Sequence, residues 1–431
     1  MSRFLTAIGL AALSALSALT ACGGGNDGPR ASGVQLPAPM LPAVTPLPEC
    51  RDADYSTCDI RNDDCQARLI ALATCLRRSD PVDGVSIELM SEDDYTALAM
   101  QDYADYPEQP THYDRALSVL DLALAEGVSK VQAVASRVDF VYGVYRAEEK
   151  RIVIVDHGKP DDSANENAVL VHEYVHALQD ADFDLTTWPQ GVDASTFDGF
   201  LATDAVVEGE AAFYQYRIAA PLLGINADPR DFFQAMDSFL QDQIGKAAGS
   251  PTPLGASYST FPYGFGAPLA FDAWTAGGPR RIDELWASPP QTTQQIFVRL
   301  YRRGTEQSSS TPIAEPSVTT LTLDSQDSLG AWGLELFYIR HDVTTELVDH
   351  TVAWRGDQLW IYTDETAAES YGLWQVELET AAESQALDDV FAGISGVEHG
   401  TDGTRVFASF GFEKAAPELT AWGQSWLVDG N

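Results

Sequence analysis

The spacing of apolar residues predicts a long amphipathic helix near the middle of the chain. Val171, Val175 and Leu178 recur at positions i, i+4 and i+7, which places them on one helix face and predicts a helix over about 164–181. Ser163 and the glutamate three residues later form a capping box, in which each side chain bonds the other residue's backbone amide. This helix is therefore expected to have a well-defined start and to bury one apolar stripe.

The spacing on either side of this helix alternates between strand-like and helix-like patterns. Residues 139–156 predict two strands joined around Ala147-Glu148-Glu149. Further helices are predicted at 112–135, 201–220, 264–274 and 280–288. Further strands are predicted at 318–323, 334–340, 351–354, 358–363 and 373–378, with a hairpin turn at Arg355-Gly356-Asp357.

The order of these elements predicts an α+β fold with two unequal domains. The larger domain is mainly helical and contains a β-hairpin, and the smaller one is α+β or β-rich. Stretches rich in Gly, Pro and Ser set the boundaries. The predicted segments are a signal peptide at 1–21, a linker at 22–49, a cysteine-bridged helical segment at 50–80, the larger domain at 81–304 and the C-terminal domain at 305–431.

The N-terminal segment has the features of an export signal. One basic residue precedes a short apolar run that is too short and too weakly flanked for a spanning helix. Leu19-Thr20-Ala21-Cys22 resembles the bacterial lipobox, which implies cleavage before Cys22 and a lipid anchor on its thiol. The alternative is an ordinary secretory signal with an unrelated cysteine. Because an aspartate after the lipidated cysteine resembles the inner-membrane retention signal, Gly23 favours the outer membrane of the bacterial cell envelope.

The charge balance excludes one large class of partners. The chain has 64 acidic and 26 basic residues, a net charge of −38. Nucleic acids and anionic lipid surfaces carry phosphates, which such a chain repels, so no nucleic-acid partner is expected. The composition resembles that of proteins from salt-adapted organisms, and simple solubility explains it equally well.

Four cysteines cluster between the linker and the larger domain. Cys50, Cys58, Cys65 and Cys75 predict two disulfides in an exported chain, with three possible pairings. A zinc cluster is the alternative, but the Cys-x-x-Cys spacing typical of such sites is missing. Cys65 and Cys75 lie ten residues apart in a helical pattern, so they are expected to face different partners. The segment is expected to be a small helical hairpin.

The helix predicted at 164–181 carries the residues that indicate chemistry. His172 and His176 lie one turn apart on the same face, so both imidazoles can point at one metal ion, as tetrahedral zinc requires. Glu173 is rotated by about 100° around the helix. It can therefore accept a proton from a water molecule whose pKa zinc has lowered. The alternative is a helix with two hydrogen-bonded histidines and no metal.

A resemblance to known zinc peptidases supplies the third ligand. Residues 206–214, VVEGEAAFY, resemble the NEGFA-type helix of the gluzincins, which implies that Glu208 completes the site of a single Zn²⁺. Glu208 follows His176 by 32 residues, a longer gap than in thermolysin-like and aminopeptidase families. HALQDADFDL at 176–185 also resembles uncharacterised bacterial envelope metallopeptidases that combine HALQD with EGEA. The resemblance covers about 135–300 and is specific only at the two helices.

Four neighbouring or downstream residues extend this hypothesis. Asp204, one helical turn before Glu208, is placed to accept the free N–H of a liganding imidazole. Glu210 is rotated by about 200° from Glu208 and is expected to face solvent or a structural partner, while Gly209 allows a helix to approach closely. Tyr263 resembles the tyrosine that opens a helix and donates to the oxyanion in gluzincin aminopeptidases. Simple aromatic packing at a helix start is the alternative.

Together these features predict a zinc peptidase, anchored in the cell envelope, with Glu173 as general base. The resemblance implies a zincin-like α+β catalytic domain, with the run Val141–Tyr145 as candidate substrate-binding edge strand. The expected partners are a peptide or protein substrate, and the membrane through the lipid anchor only. Two alternatives remain open: a catalytically inactive zincin-fold lipoprotein with a binding or structural role, and a zinc hydrolase of non-peptide amides.

Overall fold

The computed structural model is a mixed helix and sheet structure, which confirms the predicted α+β class. It describes residues 10–11, 50, 53–124, 126–138, 141–158, 163–189, 192–222, 240, 242–301, 304, 306, 313–343, 347–364, 366 and 369–429. The predicted lipidation site Cys22 and the predicted linker 22–49 lie outside the described residues, as does the predicted signal peptide apart from 10–11. No helix among the described residues is long and apolar enough to cross a membrane.

The N-terminal part of the chain, up to residue 301, is mainly helical. Its helices are α1 (Asp63–Arg77), α2 (Glu92–Asp102), α3 (His112–Leu117), α4 (Lys130–Val138), α5 (Ser163–Phe183), α6 (Phe197–Leu222), α7 (Pro253–Gly277), α8 (Pro279–Ala287) and α9 (Thr293–Tyr301), with further helical residues at 242–249. The predicted helices at 164–181, 201–220 and 280–288 are confirmed as α5, α6 and α8. Ser163, predicted as a cap, is itself the first residue of α5.

A small sheet lies against these helices. Its strands are β1 (Leu10–Ala11), β2 (Ser86–Ser91), β3 (Gly143–Arg146) and β4 (Arg151–Asp156), in the order β1-β3-β4-β2. β3 and β4 form the predicted antiparallel hairpin, and β2 runs parallel to β4. β1 pairs antiparallel with β3, Leu10 opposite Tyr145. β3 therefore lies between β1 and β4 and is not the free edge that the sequence suggested.

The C-terminal part of the chain, from residue 322 to 429, contains a second sheet. Its elements are β5 (Thr322–Asp327), α10 (Gly330–Arg340), α11 (Leu347–Ala353), β6 (Trp354–Thr363), β7 (Ser370–Leu378), α12 (Ala381–Phe391), β8 (Val397–Asp402), β9 (Arg405–Gly411) and α13 (Pro417–Asp429). The strands are antiparallel in the order β5-β6-β7-β9-β8. The predicted strands at 318–323, 358–363 and 373–378 correspond to β5, β6 and β7, although β5 begins and ends four residues later.

Three sequence predictions for the C-terminal part are wrong, each because side chains are buried on several sides. Residues 334–340 form a helix, since residues 330–338 of α10 are all buried and an apolar run then carries no periodicity. Most of 351–354 belongs to α11. The supposed turn at 355–357 lies within β6, where Asp357 is buried and accepts from the amides of Leu329 and Gly330.

The predicted helix at 112–135 is interrupted. α3 ends at Leu117 and continues only as a 3-10 turn to Leu120. Asp121 and Gly127 have left-handed backbone conformations, with φ values of 56° and 67°, so the helix cannot continue through them. The apolar spacing survives this break because residues on both sides of it enter the core.

The cysteine-bridged segment is part of the main core. The disulfides are Cys50–Cys75 and Cys58–Cys65, so Cys65 and Cys75 do face different partners. The expected helical hairpin is wrong, because the described residues of the segment contain one helix, α1. Leu72 of α1 belongs to the same apolar cluster as buried residues of α5, α6, α7 and the second sheet. One continuous core thus crosses the domain boundaries predicted near 80 and 305.

Candidate metal centre

α5 and α6 bring three potential metal ligands together. The Nε2 atoms of His172 and His176 lie 3.0 Å apart. The Oε2 atom of Glu208, on α6, lies 3.2 Å from Nε2 of His172 and 3.6 Å from Nε2 of His176. All three residues are buried. Because their donor atoms converge within 4.8 Å of one another, this buried His-His-Glu group could hold a metal ion.

The electrostatics of the group favour a bound positive charge. Burial lowers the pKa of His172, and His176 adds to this effect. Burial also opposes a charge on His176, but the neighbouring Glu208 outweighs it and raises the pKa of His176 to about 9. Burial opposes ionisation of Glu208 as well, yet the two imidazoles lower its pKa to about 2. Positive charge on the imidazoles thus stabilises the buried carboxylate of Glu208, and a metal ion bound to the same three atoms would supply that charge in their place.

The Nδ1 atom of each imidazole, which faces away from the three converging donor atoms, forms a hydrogen bond with a glutamine. Nδ1 of His176 lies 2.7 Å from Oε1 of Gln179, and Nδ1 of His172 lies 3.1 Å from Oε1 of Gln215. Nε2 of Gln179 donates to the carbonyl of Val207, at 3.0 Å, which fixes the orientation of that amide. Oε1 of Gln179 must then accept, so Nδ1 of His176 carries a proton. A neutral His176 therefore turns an unprotonated Nε2 towards Glu208, as a metal ligand does.

Asp204 does not have the expected position in this network. Among the described contacts it accepts from neither imidazole, because Gln179 and Gln215 already occupy both Nδ1 atoms. Burial raises its pKa, and the neighbouring Glu208 raises it further. Asp204 therefore lies close enough to Glu208 and His176 for their charges to shift its pKa.

Glu173 is buried beside the ligand group without belonging to it. Its charge raises the pKa of His176, so the carboxylate lies close to that imidazole. The backbone of β3 passes directly over it: a Cβ atom at Gly143 would lie 2.9 Å from Cγ of Glu173. This position agrees with the rotation around the helix that the sequence predicted, and it places Glu173 between the ligands and the hairpin.

Tyr263 reaches the site from a position that the sequence did not predict. α7 begins at Pro253, so Tyr263 lies in the middle of a helix and does not open one. The prediction was wrong because α7 accommodates Pro262 within it. Burial raises the pKa of Tyr263, and the nearby Glu208, to which its phenol donates, raises it further. Its ring stacks beside that of His172, with 6.1 Å between the centroids.

Glu210 faces away from the ligands, towards a structural partner. Its Oε1 accepts from Nε of Arg77 at 2.9 Å, and both side chains are buried. Its Oε2 accepts from Nε1 of Trp286 at 2.7 Å and from Nε2 of Gln179 at 3.0 Å. Sequence reasoning missed Arg77, Gln179 and Gln215. Of these, only Gln179 had a local signal, its place three residues after His176.

Comparisons with protein-family models, curated proteins and solved structures give no match for this chain. The geometry and charge of the centre therefore carry the functional argument.

Proposed function

We propose that the chain is a zinc-dependent peptidase of the bacterial cell envelope. In this proposal His172, His176 and Glu208 hold one zinc ion, and Glu173 is the general base. The observation that carries it is the geometry of the three donor atoms, which lie 3.0, 3.2 and 3.6 Å apart. Ligands of a tetrahedral zinc at about 2.0–2.1 Å are separated from one another by about 3.3–3.4 Å. The residues present therefore fit this metal.

The number of ligands supports a catalytic rather than a structural role. Structural zinc sites are usually closed by four protein ligands, whereas catalytic sites use three and leave one position open. Among the described residues the group contains three, two histidines and one glutamate. The same set of ligand types is found in zinc peptidases with a glutamate ligand, which agrees with the resemblance of the two helices.

The side chains around the ligands have positions suited to peptide hydrolysis. Zinc, when bound, would polarise the scissile carbonyl and lower the pKa of the attacking water. Glu173 accepts a proton from that water as the new C–O bond forms. It then delivers the proton to the amine nitrogen as the C–N bond breaks. Tyr263 keeps its phenolic proton, because its pKa is raised, and is therefore available as a donor to the developing oxyanion.

A peptide substrate is proposed to bind along β3. This strand lies against Glu173 at Gly143, and its other edge pairs antiparallel with Leu10–Ala11. If residues 1–21 are removed on export, that edge becomes open to an extended peptide, which can add to a sheet through main-chain hydrogen bonds.

The proposed location rests on the N-terminal sequence and on the disulfides. Two disulfides fit an oxidising compartment, as expected for an exported protein. The lipid on Cys22 would be the membrane anchor, most simply at the outer membrane. The net charge of −38 leaves a peptide or protein as the expected partner and argues against nucleic acid.

Burial of the whole centre favours one alternative function. A site that no substrate reaches would suit a catalytically inactive lipoprotein with a binding or structural role, which would bind zinc through the same three residues. A hydrolase of non-peptide amides would use the same machinery on a different substrate. The first of these alternatives requires no base, so Glu173 separates it from both enzymes.

The test compares the processed chain, isolated from bacterial envelopes, with its Glu173→Gln variant. We expect the wild-type protein to cleave casein or members of a peptide library in a chelator-sensitive manner. The variant should retain zinc and lose at least about 100-fold in rate, as expected for removal of a general base. Equal and chelator-insensitive background in both proteins would reject the peptidase. Zinc-dependent turnover of simple amides without peptide cleavage would indicate the second enzyme.

A further inference from the structure

A buried ion pair, Arg77–Glu210, is separated from His176 by the single side chain of Gln179. It connects the proposed metal centre to the disulfide-linked N-terminal helix. Arg77 is the last residue of α1, and Cys50–Cys75 ties this end of the helix to the preceding segment. Nε of Arg77 donates to Oε1 of Glu210 at 2.9 Å, with each side chain only 2% exposed. Burial opposes the charge of Arg77, but Glu210 and Asp182 raise its pKa.

The ion pair continues into the ligand group through one amide. Oε2 of Glu210 accepts from Nε2 of Gln179 at 3.0 Å, and Oε1 of the same amide faces Nδ1 of His176 at 2.7 Å. The chain of contacts therefore runs Arg77, Glu210, Gln179, His176. Each link has a defined direction: the guanidinium and the amide N–H donate to the carboxylate, and the imidazole N–H donates to the amide oxygen.

The direction of these links determines which nitrogen of His176 is free for a metal. If the amide of Gln179 turned over, its Nε2 would face Nδ1 of His176 and favour the tautomer protonated at Nε2, which cannot bind a metal. Oε1 would then face the carboxylate of Glu210 and the carbonyl of Val207, both of which are acceptors. The carboxylate of Glu210 opposes this turn, because its two oxygens already accept from Nε of Arg77 and Nε1 of Trp286 and so present only acceptors to the amide.

We propose that Arg77 and Glu210 are positioning residues of the metal centre, which act on His176 through Gln179. The disulfide-linked segment, whose helix supplies Arg77, is then a working part of the centre and not a separate module. This inference rests on metal binding by the proposed site and is independent of peptide cleavage. Its readout is accordingly zinc affinity, which can be measured whether or not the protein turns over a substrate.

The principal test measures zinc affinity by chelator competition in the folded full chain. Glu210→Gln is nearly isosteric but replaces one acceptor oxygen by a donor, and it should weaken zinc binding about 10–100-fold, as outer-sphere losses do. Asp182→Asn is the matched control, because Asp182 also pairs with Arg77 and, among the described hydrogen bonds, is not a partner of the Gln179 side chain. It should change affinity less than about threefold, below the range of an outer-sphere loss. Wild-type affinity in Glu210→Gln, or an equal loss in Asp182→Asn, would overturn the proposal.

A double-variant cycle separates this role from a general loss of packing. If Glu210 acts through Gln179, then Gln179→Leu combined with Glu210→Gln should bind zinc no more weakly than Gln179→Leu alone. Independent, multiplying effects would contradict the proposed route. Arg77→Lys provides a milder variant that keeps the charge, in case Glu210→Gln does not fold. It loses the Nε donor and should still weaken zinc binding measurably, and unchanged affinity there would count against Arg77.

A spectroscopic measurement gives a further readout that a merely structural role would not move. In the zinc-loaded wild-type chain, the Nδ1 proton of His176 should be observable by NMR and should exchange slowly with water, because Gln179 accepts it. In Glu210→Gln the same proton should exchange faster at equal zinc saturation. Unchanged exchange, with Gln179→Leu showing the acceleration, would exclude Glu210 from the network.

Discussion

Glu208 supplies the only negative charge among the three donor atoms of the candidate metal centre. It is buried on α6, where burial alone would favour its neutral form, and yet the two imidazoles lower its pKa to about 2. Tyr263 donates to it from α7. An ionised carboxylate in such a place needs a compensating positive charge, which either a protonated His176 or a metal ion at the three donor atoms can supply.

The first prediction concerns the difference between Glu208 and its neighbour Asp204. Glu208→Ala removes a donor atom and should lower zinc affinity by more than the roughly 10–100-fold expected for loss of an outer-sphere contact. Asp204→Asn should change it far less, because Asp204 accepts from neither imidazole among the described contacts. Competition with a zinc-binding dye measures both affinities. Retention of tight binding in Glu208→Ala would show that the ligand set is different.

At the level of helices, the site depends on how closely α6 and α7 cross. A Cβ atom at Gly209 would overlap the backbone of Gly266, and one at Gly266 would overlap the carbonyl of Ala205. The two backbones are therefore in direct contact, as the sequence prediction for Gly209 anticipated. Gly209 is adjacent to Glu208 in the chain, and Gly266 follows Tyr263 by three residues. The distance between the two helices at this crossing therefore sets how closely the phenol of Tyr263 approaches the carboxylate of Glu208.

The second prediction follows from that crossing. In Gly209→Ala the new methyl group meets backbone atoms, which cannot rotate away, so the helices must separate. We expect a loss of about 1–3 kcal/mol in the free energy of unfolding, as for overpacking. Gly245→Ala is the control, since a Cβ there meets nothing within 4 Å, and it should stabilise by up to about 1 kcal/mol. Urea unfolding measures both; equal effects would contradict the crossing argument.

Elements with a strong local signal were predictable from the sequence, and those defined by distant partners were not. α5, α6 and the β3–β4 hairpin were found because periodicity and turn residues are encoded within each segment. The start of α7 was misplaced because the resemblance at Tyr263 implied a helix start there, whereas α7 begins at Pro253 and contains Pro262. α10 was taken for a strand because it is buried on all sides. The link from Gln179 to Glu210 joins residues 31 positions apart, which no local pattern reveals.

At the scale of the whole molecule, buried aspartates join the N-terminal part of the chain to the C-terminal part. Asp327, at the end of β5, accepts from the amide of Phe197 at the start of α6, at 2.7 Å. Asp198 of α6 accepts from the amide of Thr293 at 2.9 Å, while its own amide donates to the carbonyl of Ser328. The C-terminal part is thereby fixed to α6, the helix that carries Glu208. It therefore forms part of the scaffold that holds the candidate metal centre.

These aspartates should make the stability of the molecule depend on pH in an unusual direction. Burial raises the pKa of Asp198 and of Asp327 to about 7, although hydrogen bonds from Thr293, and from Tyr113 and two backbone amides, oppose the shift. In an unfolded chain both carboxyl groups titrate near about 3.9. Between these values the folded state binds more protons than the unfolded state. The contribution of each group to stability is therefore fully present at low pH and is lost as the pH rises towards 7.

The last prediction isolates this contribution with Asp327→Asn. An asparagine can still accept from the two backbone amides through Oδ1 and can donate to Tyr113, so it imitates the protonated acid at every pH. Denaturant unfolding at pH 5 and at pH 8 should show that the wild-type chain loses about 2–3 kcal/mol relative to the variant over this interval. Groups common to both proteins, the metal ligands included, cancel in that difference. Asp83→Asn, at an exposed position, should give no such divergence from wild type. Parallel pH profiles for wild type and Asp327→Asn would show that Asp327 is ionised in the folded chain and that the junction is held by a charged carboxylate.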